Sequence, residues 1–282
     1  MSNHVIAIDF GGTKIEGSIV DKKGKIGATK RVSTEAKKGK DQILKNIIAV
    51  INHLKSNFNK NIKGVGISLP GFIDKKGRLV FGGGTLTCLV GVNLKRELER
   101  RTKLPVFLEN DANCFALAEA VYGAGKNHGI VLGVIWGTGI GGGIIINKHV
   151  YSGSFGGAGE FGHMVIDPTI IRGPKCGCGQ YACLEMLSSG KNIARLYKKK
   201  GGKIKTTHVK AIYESKERAS KEVIDDAIHY LGVGLANIVN VLNPDIIVLG
   251  GGVSKLPDVV YKKLEREVCS ACVDKEPKDC QA

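Results

Sequence analysis

Apolar residues recur with two distinct periods along the chain, and those periods predict its elements. Val5 to Phe10 reads as a strand, Gly11-Gly12 as a turn and Lys14 to Val20 as a second strand. Asp21-Lys22-Lys23-Gly24 makes a hairpin turn before a third strand, Lys25 to Val32. From about Asp41 the spacing turns helical, with Ile43, Ile47, Val50, Ile51 and Leu54 on one face. Ile62 to Ser68 is a buried strand ending in Leu69-Pro70-Gly71. Leu94 and Leu98 mark a short helix, Pro105 to Leu108 a strand and Ala112 to Tyr122 a helix. Another helix follows Leu184. A long one starts near Ser220, with Ile224, Ile228, Leu231, Leu235 and Leu242 on its apolar face and Pro244 at its end. Asp245 to Leu249 is a buried strand that runs into Gly250-Gly251-Gly252.

Two stretches of this pattern are copies of each other. Gly12 to Ile19 and Gly137 to Ile144 share Gly, Thr, Ile, Gly and Ile at a constant offset of 125 residues (137 − 12 and 144 − 19). Each follows an apolar strand and precedes another. A duplicated, hairpin-led α/β unit is therefore predicted, with two lobes facing across a cleft.

Composition narrows the class. The 282 residues are 43% hydrophobic and 24% charged, enough for a sizeable core and too apolar for disorder. No apolar run reaches the ~18 residues of a membrane span, and the N-terminus has no basic and apolar leader, so a cytoplasmic protein is expected. The formal charge is +16, but the basic residues are dispersed, with one short run at Lys198-Lys199-Lys200 and no interleaved aromatics. That pattern fits a lysine-rich face or a site that attracts anionic substrates, and it disfavours a nucleic-acid platform. Eight cysteines without a leader do not make a disulfide scaffold, and three of them cluster at Cys176, Cys178 and Cys183.

The glycine-threonine loops carry the first chemistry. Asp9 to Thr13 and Gly137-Thr138-Gly139 each put backbone N–H groups and a hydroxyl at one point between strands, a geometry that cradles phosphate. Asp9 can orient a magnesium ion through water. Gly137 to Gly142 also satisfies G-x-G-x-x-G, but the strand-like Gly143-Ile144-Ile145-Ile146 follows where a dinucleotide site needs a helix. No P-loop motif is present. In Glu109-Asn110-Asp111-Ala112-Asn113 a strand gives way to a helix. There Asn110 or Asp111 can cap the helix, or Asp111 can act as a general base toward a hydroxyl attacking phosphorus. His163 with Cys176, Cys178 and Cys183 supplies four soft ligands for a tetrahedral, structural zinc ion, flanked by Glu160 and Glu185.

In order, these motifs resemble the ROK family (repressor, open reading frame, kinase) from Val5 to about Leu264. They are D-x-G-G-T at Asp9, E-N-D-A-N at Glu109, G-T-G-x-G-G-G at Gly137, E-x-G-H at Glu160 and C-x-C-G at Cys176. N-P-D-x-I-V-L-G-G-G at Asn243 completes the set. The resemblance implies an α/β, actin/hexokinase-like (ribonuclease H-like) duplicated fold with two domains, 1–112 and 113–282, around a central cleft. It implies an ATP:hexose or N-acetylhexosamine kinase, with glucose or N-acetylglucosamine foremost, acting at the 6-hydroxyl with ATP, Mg2+ and structural Zn2+.

By the same resemblance Asp111 is the base, and Gly71, Asn110, Asp111, Glu160, His163 and Glu185 bind the sugar. Asp9, Gly11, Gly12, Thr13, Lys14, Gly137, Thr138, Gly139 and Gly251 hold the nucleotide. His163, Cys176, Cys178 and Cys183 hold zinc, and a homodimer or homotetramer is implied. Three places depart from the family pattern: Ala182 stands where Gly is usual, Gly82 to Cys88 replaces the usual sugar loop, and the C-terminus carries Cys269, Cys272 and Cys280. A sugar-responsive regulator of the same family would carry a helix-turn-helix ahead of the first phosphate loop, for which no room is read before Asp9. A non-catalytic sugar binder is the third alternative.

Overall fold

The computed structural model describes residues 4–59, 61–82 and 84–273. Cys280, one of the three C-terminal cysteines, lies outside them. The chain forms two compact units: one holds the chain up to Cys114 together with Ser152–Gly157, the other Phe115–Tyr151 and everything from Ala158 onward.

The first unit is built on β1 (His4–Phe10), β2 (Lys14–Asp21) and β3 (Ile26–Ser33), followed by α1 (Lys40–Ser56) and β4 (Ile62–Leu69). A small ribbon of β5 (Phe72–Ile73) and β6 (Leu79–Phe81) precedes α2 (Leu94–Thr102) and β7 (Val106–Asn110). The main sheet has the order β3-β2-β1-β4-β7, antiparallel in the hairpins and parallel from β1 to β4 to β7. Strand β1 alternates strictly, with Ile6, Ile8 and Phe10 buried, as a strand with one core face must. Against that face α1 lays Ile43, Ile47, Val50, Ile51 and Leu54, the residues whose spacing predicts it. Their burial contributes on the order of 10 kcal/mol before entropy is charged against it. Helix α3 (Asp111–Tyr122) starts where β7 stops, and the division between units falls inside it, after Cys114.

The second unit repeats the scheme. Strands β8 (Ile130–Trp136), β9 (Ile140–Ile146) and β10 (His149–Val150) form a meander, and short helices α4 (Leu184–Ser188), α5 (Gly190–Lys199) and α6 (Val209–Glu214) follow. The long α7 (Arg218–Leu242) leads to β11 (Ile246–Gly250), and α8 (Asp258–Ala271) is the last helix of the described residues. The sheet order is β10-β9-β8-β11, with β11 parallel to β8 as β4 is to β1. The duplication is therefore architectural, with one refinement. Ile15 and Ile140 keep the offset of 125, but they face Phe10 and Trp136, which are 126 apart (136 − 10). The β1–β2 loop is longer by one residue than the β8–β9 loop. Helix α7 buries Ile224, Ile228, Leu231 and Leu235 in the core of this unit and ends at Asn243, whose φ of 42° reverses the chain before Pro244. Among the described residues no helix is long and apolar enough to cross a membrane.

Candidate functional site

In the first unit the β1–β2 loop is held in place by a residue with no sequence signature. Gly11 N–H donates to the carbonyl of Lys14 (2.9 Å). The fully buried Thr34 donates its hydroxyl to Gly11 O (2.7 Å) and its amide to Thr13 O (2.9 Å). Asp9 stands opposite Ser68 of β4 and accepts its hydroxyl at 3.2 Å. Lys14 lies on the exposed face of β2, 3.3 Å from Glu16. Glu16 is also gripped by Arg31, and the two cations hold its carboxyl below the usual range.

The β7–α3 junction resolves which residue caps the helix. Asn110 Oδ1 accepts the amides of Ala112 (2.9 Å) and Asn113 (3.2 Å), while its Nδ2 donates to Gly71 O (3.2 Å). Asn110 is thus the helix cap through its oxygen and the tie to Gly71 through one of its two Nδ2 hydrogens. Asp111 follows it at the start of α3 and accepts the Ala112 amide through Oδ1 (2.9 Å). Loss of solvent around the carboxyl is the main influence on Asp111 and raises its pKa. The charge of Asp9 adds to that rise, against the lowering by backbone amides. The neighbouring Cys114 thiol is pushed up to about 12 by burial and by the charges of Glu109, Asp111 and Asp9, which makes it unreactive. Glu109 accepts from the Asn110 amide and from Asn113 Nδ2 (2.9 Å), leaving Asn113 Oδ1 as a buried side-chain oxygen with no partner among the described residues.

In the second unit the β8–β9 loop is closed by Gly137 N–H donating to Gly139 O (3.0 Å). The first turn of α5 reaches back to the same loop, with Gly190 N–H on Gly137 O (2.8 Å) and Lys191 N–H on Thr138 O (3.3 Å). Glu185 Oε2 accepts the Ile140 amide at 3.1 Å, so this residue, expected to bind the sugar, braces the β8–β9 loop. Trp136, the only tryptophan, donates its indole N–H to Ser188 O at 2.7 Å. A pocket of ≈ 460 Å³ opens beside this loop, lined by Gly137, Thr138, Lys191, His208, Lys210 and Gly252, among others. Gly251, with φ of 98°, sits next to the Trp136 carbonyl. Lys191, His208 and Lys210 belong to no motif of the sequence. The Ser-Ser-Gly helix start is the one local signal for Lys191; nothing local marks the loop that carries His208.

The cysteine cluster closes on itself as its spacing predicts. One ligand atom from each of His163, Cys176, Cys178 and Cys183 lies within 4.8 Å of the other three. Zinc at about 2.3 Å from tetrahedral sulfurs needs ligands roughly 3.8 Å apart, so these four donors fit it with small adjustments. His163 Nδ1 faces Cys176 Sγ at 3.2 Å, and Cys178 Sγ is 3.5 Å from Cys183 Sγ. The other ring nitrogen of His163, Nε2, is 3.5 Å from the Glu160 carboxylate. The loop is tied to the turn bearing His163 by Leu184 N–H on Met164 O (2.8 Å) and Ile166 N–H on Ala182 O (3.0 Å). Ala182 has φ of 53°, the left-handed conformation that glycine adopts without cost.

The chain is similar to known proteins in sequence and in fold. The ROK family model matches residues 5–282. The chain is 35% identical over 273 residues to the N-acetyl-D-glucosamine kinase of Photobacterium profundum, covering 92% of this chain and 87% of that protein. It is 33% identical over 273 residues to the xylose repressor of Bacillus subtilis, covering 95% of this chain and 69% of the repressor. Among solved structures it is similar to a ROK family glucokinase from Streptomyces griseus in complex with glucose and AMPPNP. The identity is 29%, the TM-score 0.77, and the match covers 98% of this chain and 91% of that one.

Proposed function

The chain belongs to the ROK family, and on that premise we propose that it is an ATP-dependent kinase of a hexose or N-acetylhexosamine, acting at the 6-hydroxyl. Its fold is the α/β, actin/hexokinase-like fold of the ROK sugar kinases. The observation that carries the reading is the division of labour at the β7–α3 junction. Asn110 takes over the helix cap, and the next residue, Asp111, keeps a carboxylate with raised proton affinity at the end of a parallel strand. Such a group accepts the proton of a sugar hydroxyl as that oxygen attacks the γ-phosphorus and the β–γ bridging bond breaks toward ADP.

Gly71, Asn110, Glu160, His163 and Glu185 orient the sugar hydroxyls. Asp9, Gly11, Gly12, Thr13 and Lys14 take the phosphates together with Gly137, Thr138 and Gly139, and Gly251 approaches the adenosine. ATP as donor is supported by the AMPPNP bound to the similar glucokinase. Asp9 would help to hold a magnesium ion, which would supply charge neutralisation for the phosphates. His163, Cys176, Cys178 and Cys183 hold zinc as a structural ion that stiffens the loop carrying Glu185. The enzyme works in the cytoplasm as a homodimer or homotetramer.

Sugar-dependent ADP release with ATP and magnesium tests this. Glucose, N-acetylglucosamine, N-acetylmannosamine, mannose and fructose are offered in parallel, with N-acetylglucosamine or glucose expected to lead. The second reading, a sugar-responsive regulator, is favoured by the similarity to the xylose repressor. It predicts a salt-dependent DNA mobility shift and no turnover.

A further inference from the structure

A second pocket, of ≈ 530 Å³, lies in the first unit and shares only Asn110 with the residues assigned above. Its walls are the turn from Ile73 to Arg78, Lys95 of α2, strand β7 and the segment Ser152 to Gly156. Strand β7 is the edge of its sheet, so its outward backbone groups decide what this pocket can hold. Val65 N–H donates to Pro105 O (2.8 Å), which sets the parity: odd-numbered residues of β7 face β4 and even-numbered ones face outward.

Two of the three outward amides are already closed. Glu99 Oε1 takes the Val106 amide at 3.1 Å, and Glu109 Oε1 takes that of Asn110 at 2.8 Å. Between them Leu108 has no such carboxylate among the described residues, and its N–H is left at the middle of the pocket wall. A docking peptide strand needs a run of open ladder groups, which the two glutamates deny. A single free N–H suits a small ligand instead.

The side chains state its charge. Lys75, Lys76, Arg78 and Lys95 line the pocket against two acids, Asp74 and Glu109. Both acids are engaged: Asp74 pairs with Arg78 at 2.8 Å and accepts its amide, and Glu109 holds Asn110 and Asn113. Lys75, Lys76 and Lys95 make no ion pair among the described residues. Two aromatic rings complete the wall. Phe107 and Phe155 are 67% and 70% exposed, which is costly for rings with nothing to cover them, and Lys95 Nζ lies 5.7 Å from the centre of the Phe107 ring.

We propose that this pocket binds a small organic phosphate with a planar or apolar body. Its dianion sits against Lys75, Lys76, Lys95 and the Leu108 N–H, and its body lies on Phe107 and Phe155. The site is separate from the chemistry proposed for Asp111 and needs no turnover to be seen.

Calorimetric titration of the full chain with phenyl phosphate, which lacks sugar hydroxyls and a nucleotide, tests the site directly. Saturable binding at one site per chain is expected. Lys95→Ala, and separately the pair Lys75→Ala and Lys76→Ala, should weaken it about tenfold or more, the loss of one charge-assisted hydrogen bond. Thr138→Ala, in the nucleotide loop, should leave it unchanged. Inorganic phosphate and phenol should each bind at least about tenfold more weakly, because each keeps half of the recognition. No saturable binding would overturn the proposal. So would binding that survives all three lysine substitutions, binding lost in Thr138→Ala alone, or inorganic phosphate binding as tightly as the ester.

Discussion

Replacing Gly162 by alanine should damage the turn that carries His163 of the proposed zinc site, and the close approach there sets by how much. Gly162 is buried in the turn Phe161–His163, and a Cβ there would stand 2.1 Å from the carbonyl oxygen of Ile140 and 3.1 Å from its carbon. A carbon and an oxygen settle at roughly 3.2 Å or more, so turn and strand must part by about 1 Å, an overpacking that costs about 1–3 kcal/mol. Gly177, in the same loop system, is the matched control: it has no left-handed φ, and an added methyl group would meet nothing within 4 Å. In a unit of this size such a loss lowers the melting temperature by roughly 3–10 °C. Gly162→Ala should also bind zinc more weakly, because His163 moves with the turn. Thermal melting read alongside bound zinc checks both. A Gly162→Ala protein that melts with the wild type and keeps its zinc, or a Gly177→Ala protein equally damaged, would refute the close-approach reasoning.

Four other outcomes follow from the site. Desolvation raises the Asp111 carboxyl, so the acid limb of kcat/KM should lie above the ordinary carboxylate range and vanish in Asp111→Asn. The same shift works against folding once Asp111 ionises: its contribution is present below the unfolded carboxyl value and is lost as pH rises through the raised one. Asp111→Asn should therefore melt above wild type at neutral pH, with the gap closing on acidification. Chelating zinc, or making Cys178→Ser, should lower the melting temperature and raise the sugar KM more than the ATP KM; equal sugar KM in metal-free protein would count against a structural ion. Trp136, tied through Ser188 to the loop that Gly190 braces, should change its fluorescence on binding a non-hydrolysable ATP analogue. A flat titration at saturating analogue would place the nucleotide elsewhere.

Much of the molecule is legible in the chain because it rests on local period or spacing. The face of α1, the alternation of β1, the repeated hairpin and the C-x-C-x4-C cluster with His163 all follow from residues read in order. Boundaries differ where a tertiary contact decides them. Strand β7 runs to Asn110 rather than Leu108, since Leu69 of β4 is there to pair with it. Helix α3 begins at Asp111 because Asn110 caps it. What the order of residues hides is long-range. Thr34 holds a loop more than twenty residues away, and the even-numbered amides of β7 show their state only once Glu99 and Glu109 fold back on them. Helix α8 lies outside the elements expected from the sequence, although Val260, Leu264 and Val268 carry helical spacing; three buried apolar positions in fourteen residues are a thin stripe. Ala182 departs from a family glycine, and its φ of 53° gives that departure a physical cost.

The central claim is that Asp111 is the base of a sugar kinase. Its most direct test is sugar-dependent ADP release by the zinc-loaded wild type and by Asp111→Asn, measured side by side on the hexose panel. The account predicts turnover by the wild type on at least one sugar. It predicts a fall of about 10²–10⁴-fold in the variant, with folding and sugar binding retained. Wild-type protein that binds sugar but releases no ADP on any of them, or a variant that turns over like the wild type, would contradict it.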